Sequence, residues 1–288
     1  MTTVYSTLAN VKAENNADET TVNAVEDRKI MGYIRDASRR FDERLKSPVP
    51  FFAPYKGSRQ VQLQASNIDS LNRTILLPYP FLSITGVSIG SRVLTVGTNV
   101  QSYPVGQNPF MALQLIGCDA CSWYDYCSSS PSTYATLTGI SGFHLNYTQA
   151  WLAVDTLVGA VNDTVKTITV VNVDSENDLG EIPSISAGAL LQIDDEWMDV
   201  VSTDITLNTA KVVRGVNGST AAAHSNGATV SVFQVDTNVN RAITRQASFL
   251  YARKGAFESR RMDGIATIEY PADMLLEVNN ILAMYANL

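Results

Sequence analysis

Between Lys166 and Val235 four apolar runs follow one another, KTITVVNV, ALLQIDDEWMDVVS, DITLNTAKVVRG and ATVSVFQV, punctuated by Asp, Asn and Gly. β-Branched residues dominate them, and their short, near-regular spacing is the pattern of antiparallel strands linked by tight turns. The Asp194-Asp195 pair between two apolar runs is itself a tight-turn signal. A small all-β sandwich or barrel is therefore expected over residues 156–235.

Both ends of the chain follow a helical period instead. Ile30, Ile34, Ala37 and Phe41 fall on one stripe, which predicts an amphipathic helix over 22–46, stopped by SPVP at Ser47–Pro50. A shorter helical patch lies at Ser6–Ala13. Ile243, Ala247, Leu250 and Tyr251 mark a helix starting at Thr237 or Asn238 and stopping near Gly255. A last helix is expected from Pro271, with Met274, Leu275, Val278, Ile281, Leu282 and Tyr285 on a wide apolar face. Between these ends, RTILLPYPFLSITGVSIGSRVLTVG reads as two or three strands, with a hairpin about Gly90-Ser91. TYATLTGISGFHLNYTQAWL reads as strands broken by Gly139 and Gly142. The expected class is α+β. N- and C-terminal helices form a helical bundle with a small strand region (1–155 and 236–288), and an all-β barrel or sandwich-like domain is inserted at 156–235.

Charge narrows the functions open to such a chain. Residues 22–60 carry nine Lys/Arg against five Asp/Glu, a net +4, whereas residues 150–235 carry three against eleven, a net −8. Parts that differ this much in sign meet different neighbours. The total of −7 argues against a protein that coats nucleic acid, though not against a channel through which DNA slides. Charged residues are only 17% of the chain, where about a quarter is usual. That deficit fits a surface partly covered by other subunits, or simply a weakly charged β-rich protein. No apolar stretch reaches the ~20 residues that span a bilayer, and the opening MTTVYSTLANVKAENN is not signal-like. A soluble protein that folds in a reducing cytoplasm, without membrane contact, is expected.

The residues that carry chemistry elsewhere are sparse here. Cys118, Cys121 and Cys127 in GCDACSWYDYC suit loop thiols, a metal site completed by His144 or another subunit, or a disulfide; their spacing leaves all three open. The stretch KVVRGVNGSTAAAHSNGATVSV contains His224 but no nucleophile turn, and it reads as a strand, a turn at Asn217-Gly218, a helical turn and a reversal. Asp194, Asp195 and Glu196 read as a solvated turn, because neighbouring strand residues point to opposite faces. No phosphate-binding Gly-rich loop and no HExxH occur, so no enzyme, cofactor or metal is expected. Arg253, Lys254, Arg260 and Arg261, together with Arg35 and Arg39 on the first long helix, suit either contact with DNA phosphates or a neighbouring subunit, or an ordinary solvated surface.

Three segments resemble the head–tail adaptor (head-completion or connector) proteins of tailed bacteriophages. The first is YSTLANVKAENN followed by IMGYIRDASRRFDERLKSPVPFFAP, in which Ala37, Ser38, Phe41 and Pro54 match a leading helix and its proline-rich loop. The second is TILLPYPFLSITGVSIG, similar to the family's strand pair. The third is ITRQASFLYARKGAF with YPADMLLEVNNILAMY, similar to its closing helices. The insert LLQIDDEWMDVVS…VVRGVNGSTAAAHSNGATVSV resembles a segment of several phage structural proteins. The Cys118–Cys127 loop and DERLKSPVP depart from the family pattern. The resemblance implies a homo-oligomeric, typically dodecameric ring beneath the portal protein, in the neck of the virion. Such a ring extends the channel for duplex DNA, seals the packaged head and docks another neck or tail-completion protein. Ile30, Ile34, Phe41, Leu275, Val278, Leu282 and Tyr285 are then expected at helix-packing or ring interfaces. The competing expectation is a partner- or glycan-binding β module mounted on a helical base; a zinc enzyme built on the CxxC loop is a third.

Overall fold

The computed structural model describes residues 3–47, 50–64, 66–69, 71, 73–117, 123, 134–253 and 274–285. Among them the protein is mostly two antiparallel sheets, with 35% strand against 24% helix. This overturns the expected helical-bundle base with a small strand region, and the expected barrel as well, since no sheet closes. The chain divides into two compact units. One comprises Met1–Pro48, Trp151–Val216 and Thr220–Leu288; the other comprises Val49–Ala150 and Asn217–Ser219. Most of the stretch 156–235 thus lies in the same unit as the terminal helices.

The second unit explains much of the unexpected strand content. Its strands are β1 (Tyr55–Gln62), β2 (Ile68–Asp69), β3 (Thr74–Ile89), β4 (Arg92–Leu94), β5 (Val100–Tyr103), β6 (Phe110–Leu115) and β7 (Tyr134–Ser141). They form one sheet of order β1-β7-β3-β6-β5, with β2 and β4 also paired to β3. Strand β3 runs through two prolines that suggested breaks. Pro78 and Pro80 cannot donate to a ladder, and the β3–β6 register shifts there, between Leu76 and Phe81. The strand thus continues past its prolines by giving up pairing at that one point. The expected hairpin does form, with Ile89 opposite Arg92 across Gly90-Ser91. Gly139 does not break β7. It lies opposite Gly57 of β1 and Ile84 of β3, and a Cβ there would strike the Ser83 carbonyl oxygen and lie 2.9 Å from Ile84 Cα. The core of this unit gathers Phe81, Ile89, Leu113, Trp123 and Leu137, and the Trp123 indole donates to the Arg73 carbonyl at 3.0 Å.

The first unit holds the other sheet: β8 (Trp151–Thr156), β9 (Thr167–Thr169), β10 (Leu190–Ile193), β11 (Glu196–Asp204), β12 (Thr209–Val213) and β13 (Thr229–Phe233). Its order is β8-β13-β10-β11-β12-β9, and beyond the named strands Leu157 bridges Val170. The expected turn at Asp194-Asp195 joins β10 to β11, with Ile193 opposite Glu196 and Asp194 at φ +50°.

Four helices, α1 (Leu8–Glu14), α2 (Ala24–Arg44), α3 (Thr237–Ala252) and α4 (Leu276–Tyr285), complete the described part of this unit. Asn23 and Asp236 cap α2 and α3 by accepting from the amides of Glu26 and Asn238. The α2 stripe Ile30, Ile34, Ala37 and Phe41 is buried, and Ser38 beside it accepts from the Tyr5 amide at 3.1 Å. Residues Thr3–Ala9 fasten helices to sheet: the Tyr5 hydroxyl donates to Asp42, Ser6 bonds Thr244 at 2.7 Å, and the Leu8 amide donates to the Ala187 carbonyl at 2.9 Å. Leu275 is half-buried and its amide donates to Gln246, while Val278, Leu282 and Tyr285 are buried inside the unit.

Two stability outcomes follow. Gly139→Ala should lower the urea midpoint by the equivalent of roughly 1–3 kcal/mol, the usual cost of overpacking, because backbone rather than a flexible side chain must yield. On β11, burial raises the Asp199 carboxyl to about 6, against the opposing pull of Thr3 and Arg35. The folded state then holds the extra proton between the ordinary carboxylate value and pH 6, so stability falls as pH rises through that window. Asp199→Asn should match the parent near pH 4 and exceed it at pH 7 by about 3 kcal/mol, from ~1.4 kcal/mol per pH unit. Equal midpoints at both pH values would count against the buried ionised carboxylate.

Candidate functional site

The most concentrated polar chemistry in the described residues surrounds Glu196, the first residue of β11, whose side chain is fully buried. The turn at Asp194-Asp195 reverses the chain so that Glu196 faces inward while Asp195 stays exposed. Its Oε1 accepts from Arg214 Nε at 2.6 Å and from the Gly215 amide at 3.0 Å. Its Oε2 accepts from Arg214 Nη2 at 2.7 Å, the Ala222 amide at 2.9 Å and His224 Nε2 at 2.9 Å. The fork of Arg214 is bidentate, the strongest geometry available to a carboxylate. Its remaining hydrogens go to the carbonyls of Asn162, Val165 and Ala222.

His224 is equally enclosed. Its Nε2 meets Glu196 and its Nδ1 meets Asp194 Oδ2 at 2.7 Å, while its backbone pairs with Val161. A carboxylate oxygen thus lies within hydrogen-bond distance of each ring nitrogen. Burial pushes the Glu196 carboxyl upward, but Arg214, the Ala222 amide and His224 together outweigh it and hold it below the usual range.

This arrangement is a latch. A general base needs a ring nitrogen free to take a proton from a nucleophile, and here carboxylates occupy both. The two acids also lie on opposite sides of the imidazole, so they do not converge on one cation. Among the described residues no group of three or more His, Cys, Asp and Glu is placed to hold a metal ion.

Several sequence expectations change in this region. Segment 219–223 forms no helical turn; it runs without regular structure into the His224 bridge. Asp194 and Asp195 are exposed turn residues, but Glu196 is not part of a solvated turn. Asp194 and Glu196 are two residues apart across a tight turn and so reach one histidine. The available signal was the scarcity of cations in the acidic half: an Arg following VV in a strand, among eleven acids, calls for an internal partner.

The remaining candidates are dispersed. Arg39 is exposed and pairs with Glu43 at 2.7 Å, Arg35 is half-buried on α2, and Arg253 sits over the Phe249 ring at 5.1 Å. His144 Nδ1 accepts from the Asn146 amide at 3.0 Å. Lys254, Arg260, Arg261, Cys118, Cys121 and Cys127 lie outside the described residues. Among the described residues no helix is long and apolar enough to cross a membrane.

Neither a family model nor a curated protein matches this chain.

Glu196→Ala should cost about 3–5 kcal/mol in urea unfolding, because it leaves Arg214 charged, buried and unpaired. The double change Glu196→Leu with Arg214→Met should recover most of that loss, since it removes both charges together. A double variant as unstable as the single one would mean that packing, not charge pairing, dominates the latch.

Proposed function

We propose that this chain is a non-catalytic structural subunit of a ring at the head–tail junction of a tailed bacteriophage virion. The ring lies beneath the portal protein, extends the channel for duplex DNA, seals the packaged head and docks the next neck or tail protein. The observation that carries this reading is the order of elements formed by the segments that resemble adaptor proteins. A long leading helix buries Ala37, Ser38 and Phe41; an extended strand and hairpin follow over 74–94; and two closing helices end the described chain. Chemistry elsewhere is consistent with a scaffold, because the residues most like a catalytic group, His224, Glu196 and Arg214, satisfy one another. Exposed apolar side chains on the last helix, Leu276 and Met284, suit a protein that meets neighbours.

Electron microscopy tests the reading directly. The purified chain, alone or mixed with portal protein, is expected to give closed rings, and particles made without it should leak DNA or lack tails. A chain that stays monomeric beside portal, together with normal tailed particles in its absence, would overturn the reading.

A further inference from the structure

We infer that copies of this chain join head to tail: the turn between β10 and β11 of one copy seats in a cleft between α2 and the far end of β11 of the next. The inference deepens the ring reading and rests on it. The cleft has a volume of about 300 Å³. Its apolar lining includes Met31 of α2 and Ile205 just beyond β11. The charged groups that line it are Lys12, Glu19, Asp27, Arg28 and Arg35. Lys12 and Asp27 pair with each other at 2.9 Å, which leaves two arginines against Glu19. Arg28 is exposed and Arg35 half-buried, with the buried Asp199 within its electrostatic reach. Arg28 and Arg35 are two helical turns apart, about 10 Å along one side of α2. This pair would line up with an acidic edge more readily than with a single anion.

The occupant follows from charge and position. The β half of the chain carries the complementary sign, −8 over residues 150–235. Two of its acidic stretches are candidates. The loop 174–181 runs into Pro183, which lines the cleft of its own copy, so it lies on the cleft's own rim. The Asp194-Asp195 turn lies at the opposite end of β11, roughly 25 Å away at ~3.3 Å per residue. The exposed Asp163 follows Asn162, whose carbonyl accepts from Arg214, so it adds a second acidic loop at this end, with Lys166 the nearby cation. A knob and a socket at opposite ends of one strand cannot satisfy each other within a copy, and the ring reading selects the head-to-tail arrangement over a reciprocal two-fold pair. They make a heterologous contact, which propagates until rotation closes a ring. The knob is also stiff: Asp194 is held by His224, and its carbonyl accepts from Gln192 at 2.8 Å. Little ordering would therefore be lost on docking.

Two full-length variants test the contact, with circular dichroism and thermal unfolding to establish that each folds. One carries Arg28→Glu and Arg35→Glu; the other carries Asp163→Lys and Asp195→Lys. Each alone places like charges at every junction, so self-association measured by sedimentation should weaken at least tenfold. Mixed one to one, an acidic socket meets a basic knob and the parental socket meets the parental knob, so assemblies of alternating copies should return. Variants that assemble like the parent overturn this contact while leaving a ring intact. Loss without rescue on mixing overturns it too, as does loss of duplex DNA binding with self-association unchanged, which would assign the arginines to DNA. Rescue in open chains that never close on portal protein supports the contact and overturns the ring reading instead. A parent chain monomeric at every concentration removes both.

Discussion

A single buried carboxylate organises the acidic half of this protein. Glu196 has no route to water, so each of its lone pairs needs a donor from the chain. Those donors come from Arg214, Gly215, Ala222 and His224, and Arg214 in turn gathers the carbonyls of Asn162 and Val165. The loops before β9 and before β13 lack strand pairing over most of their length. They acquire a fixed shape because they complete the coordination of one side chain. Removing any partner strands a charge in the interior, so the network stands or falls as a unit.

The same dependence on shared partners links the helices to this sheet. Residues Thr3–Ala9 are too short to fold alone, yet they are buried and bond to α2, α3 and the chain near Ser186 and Ala187. Small residues make this possible. Ala37 and Ser38 on α2 leave room for the Tyr5 backbone, and the Ser38 hydroxyl supplies an acceptor for an amide that would otherwise be orphaned. The helices pack on one another, α2 on α3 above all, and the segment Thr3–Ala9 ties them to the chain just before β10.

Local signals were legible in the sequence wherever a residue type has one conformational use. Gly90-Ser91 and Asp194-Asp195 mark two-residue turns, and the Ile30–Phe41 stripe marks the face that α2 buries. What escaped were features decided at a distance. Pro78 and Pro80 look like strand ends, yet β3 passes through them because only one partner strand shifts register there. Gly139 looks like a break, yet it is needed where β1 and β3 close on β7. Glu196 sits beside two exposed aspartates, and nothing local distinguishes it from them; its role depends on Arg214 and His224, 18 and 28 residues away. The fold class was misjudged for the same reason, since strand pairing is a long-range property and helical periodicity is a short-range one.

These features together bear on what such a molecule can do. His224 and the buried Arg214 are engaged by internal bonds. Its charge, by contrast, is divided along the sequence, a net +4 over residues 22–60 against −8 over 150–235, although α2 itself carries six Lys/Arg against five Asp/Glu. An intramolecular salt-bridge network would pair these opposites and silence them. Among the described residues several ion pairs on α2 are local, such as Lys29 with Glu26 and Arg39 with Glu43, while Asp27 pairs with Lys12 of α1. The head-to-tail contact inferred above would set the cleft's Arg28 and Arg35 against the acidic turn of a copy, which lowers electrostatic energy. In that proposal a turn held by His224 at one end and a cleft at the other would give the attraction a register, as a closed ring requires.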